Sequence, residues 1–272
     1  MAELAGPEKM ILRSDYMNVR EIAQLSPNYS EINREERNYA AIFFAALCKP
    51  GNPEKFLEYC GFSGETGPEF GIYFEYAYLR DLWYKISNES IKKEIIQQKL
   101  KIKDIDRILN KSFKEINQLF GVGDKASETY IQFPGKWSIG KYCNNFPDDD
   151  DFLSICRFKW SFNIKPDIVI HLDKNRAICI EAKYESGEGS YPATNQEKAI
   201  FKARGIKYVR QMDLQKYMMV ELLGLSTDFM FLVFKKEKSE THKVVSWSEA
   251  FGSVDMKEMP AFAVEMAGKI SV

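Results

Sequence analysis

Pro166-Asp167-Ile168-Val169-Ile170-His171-Leu172-Asp173-Lys174-Asn175-Arg176-Ala177-Ile178-Cys179-Ile180-Glu181-Ala182-Lys183 is the stretch on which the fold of this 272-residue chain turns. Apolar residues alternate on either side of a polar triplet, which reads as strands over 167–172 and 176–183 joined by a turn at 173–175. Ile168, Ile170 and Leu172 then share one face of the first strand, and Ile178, Ile180 and Ala182 share one face of the second. Keeping both sets on the same side of the hairpin requires paired residue numbers to sum to an even value, and a three-residue turn at 173–175 makes that sum 348, so residue 168 faces residue 180. That register sets Asp167 opposite Glu181 on the other side, with Lys183 projecting from the same side as Glu181. Opposed residues in an antiparallel pair lie about 4.5 to 5.5 Å apart at Cα, near enough for both carboxylates to ligate one hard cation.

Carboxylates held that close repel by about 1 kcal/mol when exposed and by more when desolvated, and a divalent cation removes the cost. Such a cation polarises a phosphoryl oxygen and lowers the pKa of a bound water. An ammonium at Lys183 orients that water or stabilises developing negative charge. These residue types suit phosphodiester hydrolysis. The plainer reading is an ordinary edge hairpin with a surface ion pair from Lys183 to Glu181 or Asp167.

Upstream of the hairpin, Phe158, Trp160 and Phe162 alternate as in a half-buried strand, and the run Asp148–Asp151 before them reads as a solvated linker. Earlier still the apolar spacing is three and four, the period of helices. Ser30 caps a helix to about Leu47, and Asn52-Pro53 opens a short one ended by Gly61. Pro68 starts an aromatic helix through Glu75, Leu79 and Trp83 to about Ile86. From Ser90, one or two charged helices reach Phe120, where Gly121-Val122-Gly123 stops them. Downstream, a loop with Gly187 and Gly189 leads to a helix capped by Thr194 with Glu197, a second helix from about Lys207 to Leu223, and an apolar strand over 228–234. The expected organisation is a mainly helical region, 1–125, packed on or lending a helix to an α/β core and C-terminal extension, 126–272.

Composition narrows the function classes. Basic and acidic side chains number 38 and 39, for a net charge of −1, so any electrostatic footprint is local. Between 157 and 216, twelve Lys or Arg face seven Asp or Glu; this window is +5 and the rest of the chain −6, which suits a phosphate-binding face. The longest apolar run, Ala40 to Leu47, is far short of the roughly 20 residues that cross a bilayer, so a soluble cytoplasmic chain without membrane contact is expected. Cys48, Cys60, Cys143, Cys156 and Cys179 are scattered, and His171 and His242 are the only histidines. A metal here is therefore held by oxygen, which favours Mg2+ or Mn2+. A homo-oligomer is compatible with all of this.

Pro166-Asp167, thirteen residues, then Glu181-Ala182-Lys183 resembles the PD-(D/E)XK nuclease superfamily, which includes many restriction endonucleases, junction resolvases and helicase-attached nuclease domains. The resemblance covers about 157 to 235. It implies a restriction-endonuclease-like mixed sheet flanked by helices in the order α, three strands, α, strand, carrying here a large N-terminal helical elaboration. By resemblance, Asp167, Glu181 and the carbonyl of Ala182 bind magnesium and Lys183 assists attack by water. The acidic-x-Lys string alone is weak, since it recurs at Asp255-Met256-Lys257 with no hairpin before it.

Some members carry another acid on a preceding helix. Glu75 is favoured, with Gly71 before it resembling the Gly-x-x-x-Glu spacing of junction resolvases; Glu36, flanked by Ile32, Tyr39 and Ala40, competes. Gln211 and Gln215 share a helix face near Tyr217, where family members place Gln-x-x-x-Tyr. Here the tyrosine falls two positions later, so Tyr217 reads equally as a packing residue. Lys198, Lys202 and Arg204 are the expected phosphate contacts, with a solvated helix face as the alternative. The functional expectation is a magnesium-dependent endonuclease acting on DNA in restriction or defence. The alternatives are a non-catalytic nucleic-acid-binding or assembly subunit on the same fold, and a metal-dependent enzyme acting on other phosphate esters.

Overall fold

The computed structural model describes residues 35–62, 66–184, 187–234 and 242–270. Seven strands occur among them: β1 (Gly71–Phe74), β2 (Ile168–His171), β3 (Arg176–Ala182), β4 (Ser190–Tyr191), β5 (Val209–Arg210), β6 (Ser226–Val233) and β7 (Lys243–Ser246). Five form a mixed sheet in the order β1-β2-β3-β6-β7, and β4 pairs with β5 alone. The hairpin has the expected register: Ile168 faces Ile180 and Ile170 faces Ile178, antiparallel. β1 extends it antiparallel, whereas β3–β6 and β6–β7 are parallel. The chain is thus mixed α/β.

Alternation along β2 and β3 divides the interior between the two faces of the sheet. Ile168, Ile170, Leu172, Ile178, Ile180 and Ala182 are buried with Met230 and Leu232 on one side. They lie beneath α1 (Glu36–Leu47) and α2 (Asn52–Tyr59) from the start of the described chain, and α11 (Trp247–Gly252) and α12 (Ala261–Ile270) from its end. Asn52, buried at the start of α2, donates to the carbonyls of Ala46 and Asp255 and accepts from Asp255 N, tying these two pairs together. On the other side Val169, Ala177 and Cys179 meet a larger cluster built from α3 (Tyr78–Lys85), α4 (Glu89–Lys99), α5 (Ile105–Leu109), α6 (Phe113–Leu119), α7 (Ile139–Tyr142) and α8 (Asp149–Ser161). That cluster also takes side chains from α9 (Asn195–Arg204) and α10 (Gln211–Lys216), which continues as a π-helical turn over Tyr217–Leu222. Residues from Glu36 onward form one compact unit, to which the first half contributes a strand as well as helices.

Four expected elements differ. The one or two helices from Ser90 to Phe120 are three, α4, α5 and α6, and the helix expected from about Lys207 begins only at Gln211, directly after strand β5. The helix from Pro68 to Ile86 is instead strand β1 followed by α3, because Gly71-Ile72-Tyr73-Phe74 pairs with His171–Ile168 along the open edge of β2. The strand at Phe158–Phe162 is instead α8. Its aromatic residues are buried on several sides, with Phe152, Ile155, Phe158 and Trp160 all within the core, so burial all round imitates a period of two. Asp148–Asp151 is therefore a helix start and not a linker: the Asp148 carboxylate accepts from Asp150 N and Asp151 N, both at 3.1 Å, and pairs with Lys103. Gly121 and Gly123 do terminate α6, with φ of 78° and 83°. Among the described residues no helix is long and apolar enough to cross a membrane, and all five cysteines are free thiols.

Candidate active site

Asp167 stands at the residue before β2 and Glu181 at the next-to-last residue of β3, so hairpin register alone brings them to one end of the sheet. Glu181 is only 3% exposed, and three donors meet it. Lys183 Nζ and Gln211 Nε2 donate to Oε1 at 2.6 and 2.5 Å, and Gln215 Nε2 donates to Oε2 at 2.5 Å. The two glutamines reach it together because they lie one turn apart on α10. Gly189 makes room for this: its carbonyl accepts from Gln211 N at 2.8 Å, and a Cβ there would fall 2.6 Å from Gln211 Oε1. Gln215 is fully buried, and its own Oε1 accepts from the Cys179 thiol at 3.4 Å. Cys179 is thus a member of the support that inspection of the sequence had not singled out; its place directly opposite Val169 on the inward face of β3 was the available signal.

Asp167 is fixed by its backbone and its carboxylate. Its carbonyl accepts from Glu75 N at 2.9 Å, and its Oδ2 accepts from Ala182 N at 2.8 Å. Ala182, the residue directly after Glu181, thereby ties the end of β3 to Asp167 through its N–H. Lys183 is held in turn by its N–H to Leu232 O and by Trp247 Nε1 donating to its carbonyl at 3.1 Å.

The second acid on the list of competitors, Glu36, is the one that joins. Its Oε1 lies 3.8 Å from Lys183 Nζ, and its Oε2 accepts from Tyr184 N at 2.8 Å. Glu75 is not on a helix: it follows β1 with φ of 50°, a left-handed bend that costs a non-glycine residue about 1 kcal/mol. Its carboxylate is engaged by Arg37 at 3.0 Å and Lys165 at 3.4 Å, away from Glu181.

Burial and the nearby Glu181 charge push the Asp167 carboxyl up to about 7, against the pull of the Ala182 N–H and Lys183. Glu181 is likewise raised by burial, opposed by Lys183 and Gln215. For Lys183, burial favours the neutral amine but the charge of Glu181, aided by Glu36 and Asp167, outweighs it, and the ammonium form is reinforced. The result is a desolvated acidic pair with a lysine clamped to one member.

The outer residues divide. Arg204 is a structural side chain: it donates to the carbonyls of Cys143 and Phe146, pairs with Asp149 at 3.1 Å and lies 4.1 Å over the Phe152 ring. Its guanidinium is spent on joining α9 to the start of α8, so it is not available as a phosphate contact. Lys202 is exposed and Lys198 half-buried on the same helix, and neither forms an ion pair among the described residues. Tyr217 packs against the core, where burial raises its hydroxyl to about 12, and it makes no hydrogen bond to the acidic site among the described residues.

Among the described residues no group of three or more His, Cys, Asp or Glu is arranged to hold a metal ion. The donor chemistry would nonetheless suit a hard divalent cation: Asp167 and Glu181 offer carboxylate oxygens, and their shared burial disfavours their charged forms. No family model matches the chain, and neither a curated protein nor a solved structure matches it.

Proposed function

We propose that the chain is a Mg2+- or Mn2+-dependent endonuclease that hydrolyses phosphodiester bonds of DNA in restriction or defence, on a restriction-endonuclease-like core. One observation carries the reading: Asp167, Glu181 and Lys183 converge at one end of the hairpin, with Glu36 beside them and Gln211 and Gln215 holding Glu181. Asp167 and Glu181, with the Ala182 carbonyl, would hold the cation, which when bound supplies Lewis acidity toward a phosphoryl oxygen and a more acidic water. Gln211 and Gln215 fix the Glu181 carboxylate in one orientation, so its geometry is set before substrate arrives. The Lys183 ammonium, on a stem buried beside Glu181, supplies positive charge where the attacked phosphoryl group becomes more negative. Glu36, 3.8 Å from the same ammonium, gives it a second acidic partner. Lys198 and Lys202 offer charge to the backbone of the substrate.

A non-catalytic nucleic-acid-binding or assembly subunit is favoured by a different observation: both Glu181 oxygens already accept hydrogen bonds, as in a purely structural network. Incubation with supercoiled, linear, single-stranded and branched DNA plus Mg2+ or Mn2+ separates the two. Metal-dependent cleavage that disappears in Asp167→Ala supports the enzyme. Binding without cleavage by any metal or substrate supports the subunit.

A further inference from the structure

A cleft of about 610 Å3 opens at the other end of β2, where Glu69, Tyr73, Tyr78, His171 and Lys174 line it together with Leu223. His171 lies four residues from Asp167 along the strand, about 13 Å away. The rings form one cluster. Tyr76 is buried at its centre, stacked on Tyr78 at 5.5 Å and 21°, edge-on to Tyr73 at 5.6 Å, with its hydroxyl 2.8 Å from His171 Nε2. Tyr73 also meets His171 at 5.2 Å. Gly71 leaves space for Tyr73, because a Cβ there would fall 3.0 Å from its hydroxyl oxygen.

Tyr76 and His171 thus hold two rings whose outer surfaces stay open: Tyr73 is 44% and Tyr78 41% exposed. Neither hydroxyl makes a hydrogen bond among the described residues. Glu69 and Lys174 line the same cleft, and neither is ion-paired among the described residues, whereas the neighbouring Arg176 is tied to Asp173. Fixed aromatic faces, one unengaged carboxylate and one unengaged ammonium form a donor and acceptor set around an apolar floor.

We propose that this cleft binds a nucleotide, with its base against Tyr73 and Tyr78, its amino or imino hydrogens directed to Glu69 and its phosphate at Lys174. Every base offers a flat π-face to stack on an aromatic side chain, and an ionised carboxylate accepts from base N–H groups. Lysine is a point charge suited to phosphate. A quaternary ammonium would also be drawn to the rings and Glu69, but Lys174 opposes it. The volume lies in the usual range for small-ligand sites. The inference is independent of hydrolysis at Asp167.

The test is calorimetric titration and saturation-transfer NMR of the full chain with AMP, GMP, CMP and UMP in the presence of a chelator, beside single-stranded tetranucleotides. Binding of a mononucleotide supports the site and identifies a free nucleotide as sufficient; binding of the tetranucleotides alone supports it with the base taken from a strand. Tyr78→Ala and Lys174→Glu should each weaken binding by about tenfold or more, while Tyr78→Phe retains it. Lys174 is on an exposed turn, so its variant tests the site even where Tyr78→Ala fails to fold. The proposal is overturned by no binding of either probe at millimolar concentration. It is also overturned by binding that Lys174→Glu retains in full, or by tetramethylammonium binding where nucleotides do not.

Discussion

Replacing Asp167 by Asn should stabilise the protein in the absence of divalent metal, and the gain should depend on pH in a defined direction. Asp167 is pushed from its ordinary 3.8 up to about 7 by burial and by Glu181. An acid whose folded value lies above its unfolded one binds more protons in the native state. Its favourable contribution is complete below about pH 4 and is lost as pH rises through about 7. The separation corresponds to about 4 kcal/mol against the charged form, and water reaching the half-open side of Asp167 screens this to about 1–3 kcal/mol. Asn keeps an oxygen to accept from Ala182 N while removing the charge. At pH 8 with chelator, Asp167→Asn should therefore melt about 2–12 °C above the parent, a chain of this size shifting about 2–4 °C per kcal/mol. The difference should shrink to about a quarter by pH 4.5 and close below about pH 4, where Asp167 is neutral in both the folded and the unfolded chain. Added Mg2+ should raise the parent and not the variant, because only the parent gains from binding it. Thermal unfolding by circular dichroism from pH 3.5 to 8 gives all three. A variant that melts at or below the parent at pH 8, or whose advantage is the same at every pH, refutes the reasoning that the pair is electrostatically frustrated.

Lys183→Ala is expected to keep metal and nucleic-acid binding and to lose hydrolysis, because its charge acts where negative charge develops; single-turnover cleavage equal to the parent's would refute this. Arg204→Ala should cost about 2–3 kcal/mol in urea unfolding, through its carbonyl partners and the Phe152 ring, while leaving the salt dependence of DNA binding unchanged. Lys202→Ala should do the reverse, shrinking the log affinity versus log salt slope by about 0.9 with little effect on stability. Asp148→Ala should lower the urea midpoint through loss of the α8 cap, read from the same denaturation curves; an unchanged midpoint would show that the cap does not stabilise the helix.

The hairpin was legible because alternation and the three-residue turn together leave one register: a one-residue slip of either strand would have turned its isoleucines out of the core. The sharing of a helix face by Gln211 and Gln215 was legible for the same reason, since spacing of four fixes direction. β1 was not, because four residues of edge strand flanked by aromatic residues carry too short a period to separate from a helix. That error moved Glu75 onto a helix and toward the site, whereas the contact of Glu36 with Lys183 depends on how α1 crosses the sheet, which no local pattern encodes. Arg204 was misjudged on charge alone: its carbonyl partners are 58 and 61 residues away in sequence and become visible only once α9 packs against α8.

The layer over Ile168, Ile170, Ile178 and Ile180 comes from both ends of the described chain, α1 and α2 from one and α11 and α12 from the other, joined through Asn52 and Asp255. During synthesis the sheet emerges from the ribosome with half of its cover already made and half still to come. Until residues beyond 245 leave the exit tunnel, an isoleucine-rich face stays partly bare, and the nascent chain is most prone to aggregation in that interval. A stop codon placed between 234 and 243 would make the interval permanent, so such a product should require chaperones or be degraded even though Asp167, Glu181 and Lys183 are all present in it.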